Sequence, residues 1–270
     1  MGCLDNLIRS ILIPEEDCIL CAFDYKQIEY TLFIHYAIGP QAEQARQHIR
    51  DGADYHSMAQ KLMKWDTEER QKALGLTKHD ARKMTKNFNF GSIYGLSRNG
   101  FKKKFRKLLM QGAIATGIDF DIYADGLYRE YFRMLPFVKP TCEGIKALCQ
   151  SKGFMRSIGG RMHRTPERTG LYAIVNYICQ GGASDILKAG LSAAWDAGVF
   201  KYIKMHITVH DENVFSVPRT KEAIEAALEF SHIMSSTTQL KVPIRVDEEA
   251  GFNWADCTSE HWLDWQKGII

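Results

Sequence analysis

An α+β protein is expected from this chain, and three features predict it. Short apolar, strand-like runs lie near both ends, residues 51 to 153 carry apolar residues at helical spacing, and turn residues separate the two patterns. The 270 residues suffice for one large domain or two smaller ones. With 45% hydrophobic and 25% charged residues, the composition is that of an ordinary soluble globular protein. A net charge of +3 provides no global positive field, so a polyanion would need local clusters such as Lys102, Lys103, Lys104, Arg106 and Lys107. That run is equally compatible with a solvated helix face.

Seven cysteines in a chain without a signal peptide suggest free thiols in a reducing compartment, and a cytoplasmic location is expected. Asp5 and Arg9 break the N-terminal apolar stretch, and Asn6 stands where a myristoylation signal has serine or threonine. The longest uncharged run, residues 170 to 184, is too short to span a bilayer. No membrane partner is expected.

In chain order, Cys18 to Phe23 is a buried-strand pattern that delivers Asp24 at its end. A carboxylate there needs a cationic partner, and a metal ion is one that also does chemistry. Cys18 and Cys21 are three apart, on opposite faces of a strand, which favours thiol packing over zinc. A helix follows with Ile28, Leu32 and Tyr36 toward the core and Glu29 in its first turn, where an acid suits the helix dipole. His56 alone has the character of a surface or capping histidine. The segment from Gly112 to Gly117 reads as a loop between helices, and Pro136 and Pro140 punctuate the helical region.

The stretch Arg82 to Gly95 is the most organised. Steps of four from Arg82 reach Lys86, Phe90 and Tyr94, a helix stripe of two cations and two rings that suits a nucleotide lying lengthwise. Gly91 suggests close approach by another group, and Gly95 reads as the helix stop. An amphipathic helix with its rings in the core fits the same spacing. Further on, Gly153 to Pro166 reads as a strand pair around Gly159 and Gly160, leading into a helix that carries Asn176 and Gln180 on one face. Met205 to Val209 and Val214 to Val217 read as strands, with His210, Asp211, Glu212 and Asn213 at the turn. Asp24 and Asp211, both at strand ends, would repel if brought together unless divalent cations bridged them.

These segments together resemble the family A DNA polymerases, the group of bacterial DNA polymerase I and many phage replicases. DYKQIE at Asp24 to Glu29 is similar to the family's DYSQIE, and Arg82, Lys86, Phe90, Gly91, Tyr94 and Gly95 match RxxxKxxxFGxxYG. VHDE at Val209 to Glu212 is similar to the motif of the second catalytic aspartate, and NYICQGGASDILK resembles NxxxQGxAADIIK. The resemblance runs from about Arg9 to Asp256.

It implies an antiparallel-sheet palm from residues 1 to 50 and 154 to 270, with inserted helical fingers from 51 to 153. The implied reaction is template-directed transfer of dNTPs to a primer 3′ hydroxyl. Asp24, Asp211 and the backbone carbonyl of Tyr25 would hold two Mg2+ ions. His56, Arg82 and Lys86 would grip the triphosphate, with Lys86 protonating the leaving group. Gln27 and Phe90 would also contact the nucleotide, and Glu29 with Tyr94 would crowd the sugar 2′ position. His210 would touch the primer end, and Asn176, Gln180 and Arg161 would contact DNA. Thr31 and Tyr172 replace family arginines. The thumb and exonuclease domain of the family have no counterpart in this sequence, so a second polypeptide supplying a thumb, as in a split polymerase, is the expected partner. Two other classes share these features: a non-catalytic nucleic-acid-binding or assembly subunit, and a two-metal phosphodiesterase.

Overall fold

The computed structural model describes residues 2–165 and 171–268. In chain order it begins α1 (Gly2–Arg9), β1 (Cys18–Tyr25), α2 (Ile28–Tyr36), α3 (Ala42–Arg50), α4 (Tyr55–Leu62), α5 (Glu68–Ala73) and α6 (Lys78–Ile93). Then come α7 (Arg98–Lys104), α8 (Arg106–Thr116), α9 (Phe120–Met134), α10 (Val138–Lys152), β2 (Phe154–Arg156), β3 (Met162–Arg164) and α11 (Tyr172–Asn176). A π-helical turn, Tyr177–Gly181, leads into α12 (Gly182–Asp196), β4 (Lys204–Val209), β5 (Glu212–Pro218), α13 (Lys221–Ser236), β6 (Val246–Gly251) and α14 (Ser259–Gln266). The chain forms two compact units, one of Met1–Ile28 with Gly182–Ile270 and one of Glu29–Gly181. No helix among the described residues is long and apolar enough to cross a membrane.

The first unit is built on a four-stranded antiparallel sheet of order β4-β5-β1-β6. Its central strand β1 is buried on both faces, which explains the unbroken apolar run. Phe23 meets Phe215, Phe230 of α13 and Trp262 of α14 edge-on, with ring centroids 5.8, 5.2 and 5.5 Å away. Leu20 and Ala22, of opposite parity, pack instead with Val214, Leu12, Trp254 and Cys257. Asp24 shares the parity of Leu20 and Ala22, so it closes that second face. The hairpin between β4 and β5 is tighter than the sequence suggests: Glu212 and Asn213 are strand residues paired with Val209 and Thr208, and only His210 and Asp211 turn. Asn213 can lie buried in the strand because Thr208 donates to its Oδ1 at 3.0 Å.

The second unit is helical, with the β2–β3 hairpin near its end. Its longest helix, α6, starts where Thr77 accepts from the Asp80 N–H at 3.1 Å and donates to the Asp80 carboxylate at 2.7 Å. Gly95, at φ 84°, ends it, and Leu96 N–H returns to the Gly91 carbonyl at 2.7 Å. A Cβ on Gly91 would sit 2.6 Å from Leu96 Cδ2, so the close approach at this glycine is made by the chain's own leucine. Helix α2 departs from its expected single apolar stripe. Tyr36 is half-buried, while Phe33 and Ile34 carry the core together with Ile28 and Leu32.

Gly112 is not in a loop. It lies within α8, and the turn falls at Gly117. The glycine is there for packing, since a Cβ would come 2.2 Å from Tyr123 Oη, whose hydroxyl donates to the Leu74 carbonyl at 2.6 Å. Gly112→Ala is therefore expected to destabilise the protein by about 1–3 kcal/mol in urea denaturation through overpacking. Gly126→Ala on α9, with nothing within 4 Å of the added carbon, should instead be neutral or stabilise by roughly 0.5–1 kcal/mol through helix propensity. Equal effects of the two changes would refute the packing role of Gly112.

Candidate active site

The sheet register brings a row of acids together. Asp24 on β1 stands directly opposite Glu212 of β5 on one side and Asp247 of β6 on the other. Glu249, opposite Ala22, shares their face, whereas Glu248 points to the other face and accepts from Ser231 of α13. Tyr25 N–H reaches the Asp211 carbonyl at 3.3 Å, so Asp211 meets the end of β1 beside Asp24. The two acids expected to converge do so at one end of one sheet.

Like charges placed opposite one another destabilise a sheet unless they are offset. Glu212 accepts from Trp254 Nε1 at 2.7 Å and lies 3.6 Å from Arg9, and Lys26 bridges to Asp247 at 3.0 Å. Asp24 has no such relief. Its Oδ1 is sealed from water and has no hydrogen-bond partner. Burial, then the charges of Asp211, Glu212, Asp247 and Glu249, push its carboxyl from 3.8 up to about 7. A divalent cation is a group that would offset these charges. Among the described residues, no three Asp, Glu, His or Cys side chains gather closely enough to hold an ion unaided. Asp24 and Asp211 supply hard carboxylate oxygens of the kind that divalent cations prefer.

Two of the non-glycine residues with left-handed backbone flank these acids, Gln27 at φ 50° and His210 at φ 56°. Such conformations carry strain of order 1 kcal/mol and recur at functional sites. Here each re-aims the chain within three residues of an aspartate. His210 is exposed at the hairpin tip.

In the helical unit, α6 separates its two faces. Met84, Thr85, Phe88, Asn89 and Ser92 are buried, while Arg82 and Lys86 are exposed and Phe90 and Tyr94 half-buried. The core face is thus offset from the stripe, and Phe88, not Phe90, fills the interior against Tyr131 and Phe101 at 4.1 and 4.3 Å. Phe90 borders His56 and Tyr30 at 5.7 and 4.8 Å.

His56 is no surface residue. It is buried in the first turn of α4, and the helix cap is Asp54, which accepts from Ser57 N–H at 2.9 Å. Burial lowers its imidazole from 6.5 to about 4, with Lys86 and Arg82 pushing the same way against Asp54. At neutral pH it is uncharged.

Tyr94 donates to Glu29. Burial and the Glu29 contact raise the Tyr94 phenol, which stays protonated. Asn176 and Gln180 do not lie on one regular α-helix as expected, because the π-helical turn from Tyr177 widens the spiral between them. Gln180 is exposed, and Asn176 Oδ1 is buried without a partner. Arg161 donates to the Gly181 carbonyl at 2.9 Å, and His163 stacks on Tyr177 at 4.0 Å, fastening the hairpin to that turn. Pro166 and the Tyr172 side chain lie outside the described residues. The basic run is not one patch: Lys102 bridges to Asp121 and Asp125 at 2.7 and 2.9 Å, and Arg106 covers Phe120.

Sequence reasoning missed Asp247, Glu249, Asn89 and Tyr131. The alternation in VDEEAG hinted at the first two. The latter pair showed no signal beyond a polar residue between two phenylalanines.

The family model for DNA polymerase family A matches residues 4–256. DNA polymerase I of Rhizobium leguminosarum is 28% identical over 92% of this chain and 24% of its own length, and that of Lactococcus lactis is 30% identical over 92% and 27%. A DNA-directed DNA polymerase of Pseudomonas phage M6 is 28% identical over 95% of this chain and 40% of its own. The chain thus spans about a quarter of the length of the bacterial relatives it matches. Among solved structures, the POL domain of Pol1 from M. smegmatis, in complex with DNA primer-template and dNTP, superposes with a TM-score of 0.71. It shares 23% identity over 93% of this chain and 42% of that one, a likeness of fold. Given a family match over nearly the whole sequence and a common fold, the chain belongs to DNA polymerase family A.

Proposed function

We propose that this chain carries out template-directed DNA synthesis by two-metal nucleotidyl transfer, adding dNTPs to a primer 3′ hydroxyl. The observation that carries the reading is Asp24, whose buried, partnerless carboxylate oxygen lies beside Asp211 in a row of acids. Asp24, Asp211 and the Tyr25 carbonyl are the proposed ligands of two Mg2+ ions, which when bound would activate the hydroxyl and neutralise the phosphates. Arg82, Lys86 and His56 bind the triphosphate in this reading, and Lys86 delivers the proton taken up by departing pyrophosphate. Gln27 and Phe90 complete the nucleotide contacts. Glu29 and Tyr94, joined by their hydrogen bond, exclude a 2′ hydroxyl. His210 serves the primer end, and Asn176, Gln180 and Arg161 the DNA strands. Residues 1–50 and 154–270 form the proposed palm around fingers from 51 to 153.

The test is single-nucleotide insertion on a primed template with Mg2+, using the chain and Asp211→Ala. Insertion should fall to background in the variant while circular dichroism is unchanged; retained insertion would remove Asp211 from the mechanism, and binding without any insertion by the unaltered chain would favour a non-catalytic subunit. Because phosphate contacts supply most affinity for DNA and a net charge of +3 provides no global attraction to it, a second polypeptide gripping the duplex is also proposed. Processive extension at moderate salt by the chain alone would refute that requirement.

A further inference from the structure

His56 sits at the end of a buried polar relay that the reaction does not itself use. Tyr131 Oη donates to Asn89 Oδ1 at 2.9 Å, and Asn89 Nδ2 faces His56 Nδ1 at 3.0 Å. Ser92 Oγ lies 2.7 Å from Tyr131 Oη and 3.0 Å from the Asn89 carbonyl. Asn89 and Tyr131 are fully buried, and Ser92 and His56 are 6% and 7% exposed. An amide nitrogen only donates, so a hydroxyl held against Oδ1 turns the amide until its NH2 meets the ring, and Nδ1 must then accept. The ring proton is left on Nε2.

We propose that Asn89 and Tyr131 are positioning residues that lock His56 as a neutral Nε2–H donor to the triphosphate. The inference rests on the reading of His56 as a triphosphate contact. The groups around the ring favour it. Arg82 and Lys86 from α6 oppose a third positive charge, Asp54 at the start of α4 favours one, and Tyr30, Tyr55 and Phe90 surround the ring with aromatic surface. A fixed neutral donor gives one directed hydrogen bond to an anion without a charge that would have to be desolvated.

The experiment uses the full chain labelled with 15N. Long-range 1H–15N spectra report which ring nitrogen carries the proton, and His56→Gln identifies the resonances. From about pH 6 to about pH 8 the unaltered chain should show a protonated Nε2 and a bare Nδ1. In Asn89→Asp the carboxylate only accepts, so Nδ1 gains a proton, and the ring titrates above its ordinary 6.5. Above that midpoint the Nε2 proton is lost, and the KM for dNTP should climb about tenfold, the worth of one hydrogen bond to a charged group, with kcat little changed. The unaltered chain should show no such step, and adding His56→Gln, whose amide donates without titrating, should abolish it. Should Asn89→Asp not fold, Tyr131→Phe frees Oδ1 and should bring a second tautomer into the spectrum. An Nδ1–H ring in the unaltered chain, or a tautomer and KM profile indifferent to Asn89 and Tyr131, overturns the proposal. If the unaltered chain inserts no nucleotide, the polymerase reading fails and with it the triphosphate role, whereas the spectra still decide whether Asn89 sets the tautomer.

Discussion

Asp24→Asn is expected to lose nucleotide insertion by roughly a thousandfold or more and, in EDTA at pH 8, to unfold at a higher denaturant concentration than the unaltered protein. Both halves follow from one arrangement. The carboxyl is raised from 3.8 to about 7, so its charged form is disfavoured in the folded chain relative to the unfolded one. The contribution of Asp24 to folding is then most favourable below about pH 4, where the group is protonated in both states, and is lost as pH rises from there through about 7. A shift of about three units sets an upper limit near 4 kcal/mol; because Asp24 is only half-buried, roughly 2 kcal/mol is expected. Asparagine keeps the shape and drops the charge, so the gain should be present at pH 8 and vanish toward pH 4. Millimolar Mg2+ should stabilise the unaltered protein and leave Asp24→Asn almost unaffected. Urea titrations across this pH range, with EDTA or Mg2+, measure all of it. A variant less stable than the parent at pH 8 would mean that Asp24 is held by a partner within the chain, and the proposed metal site would lose its main support.

What the sequence disclosed of this site depended on how local each feature is. Asp24 was legible because six apolar residues run straight into it, and the spacing of Arg82, Lys86, Phe90 and Tyr94 needs only one helix to be read. Asp247 and Glu249 were not legible as site residues, since their placement comes from pairing β6 with a strand more than 220 residues away. Alternation shows which residues share a face, but not which strand lies alongside. Gly112 misled for a related reason: glycine loosens a chain in a turn and admits a neighbour in a helix, and only the position of Tyr123 decides between them. His56 changed character on the same grounds. A capping position is exposed by default, and here Asn89, Tyr30 and Phe90 cover it from other helices.

Lys86→Ala should reduce kcat/KM for dNTP insertion by about a hundredfold to a thousandfold, the usual loss when a charged donor to a transition state is removed, while leaving thermal stability unchanged. The separation of effects comes from α6. Lys86 lies on the exposed stripe, whereas the helix is anchored by Met84, Phe88, Asn89 and Ser92 on its buried face, so truncation opens no cavity. Lys86→Arg tests what the side chain supplies. Arginine keeps the positive charge but does not give up its proton at accessible pH, so ground-state grip on the triphosphate should survive and proton delivery to pyrophosphate should not. KM should then stay near its original value while kcat falls. Pre-steady-state insertion with dNTP varied separates the two constants. If arginine restored both, Lys86 would act by charge alone; if alanine lost neither, the stripe on α6 would be no triphosphate grip, and the nucleotide would have to be held by residues on another helix face.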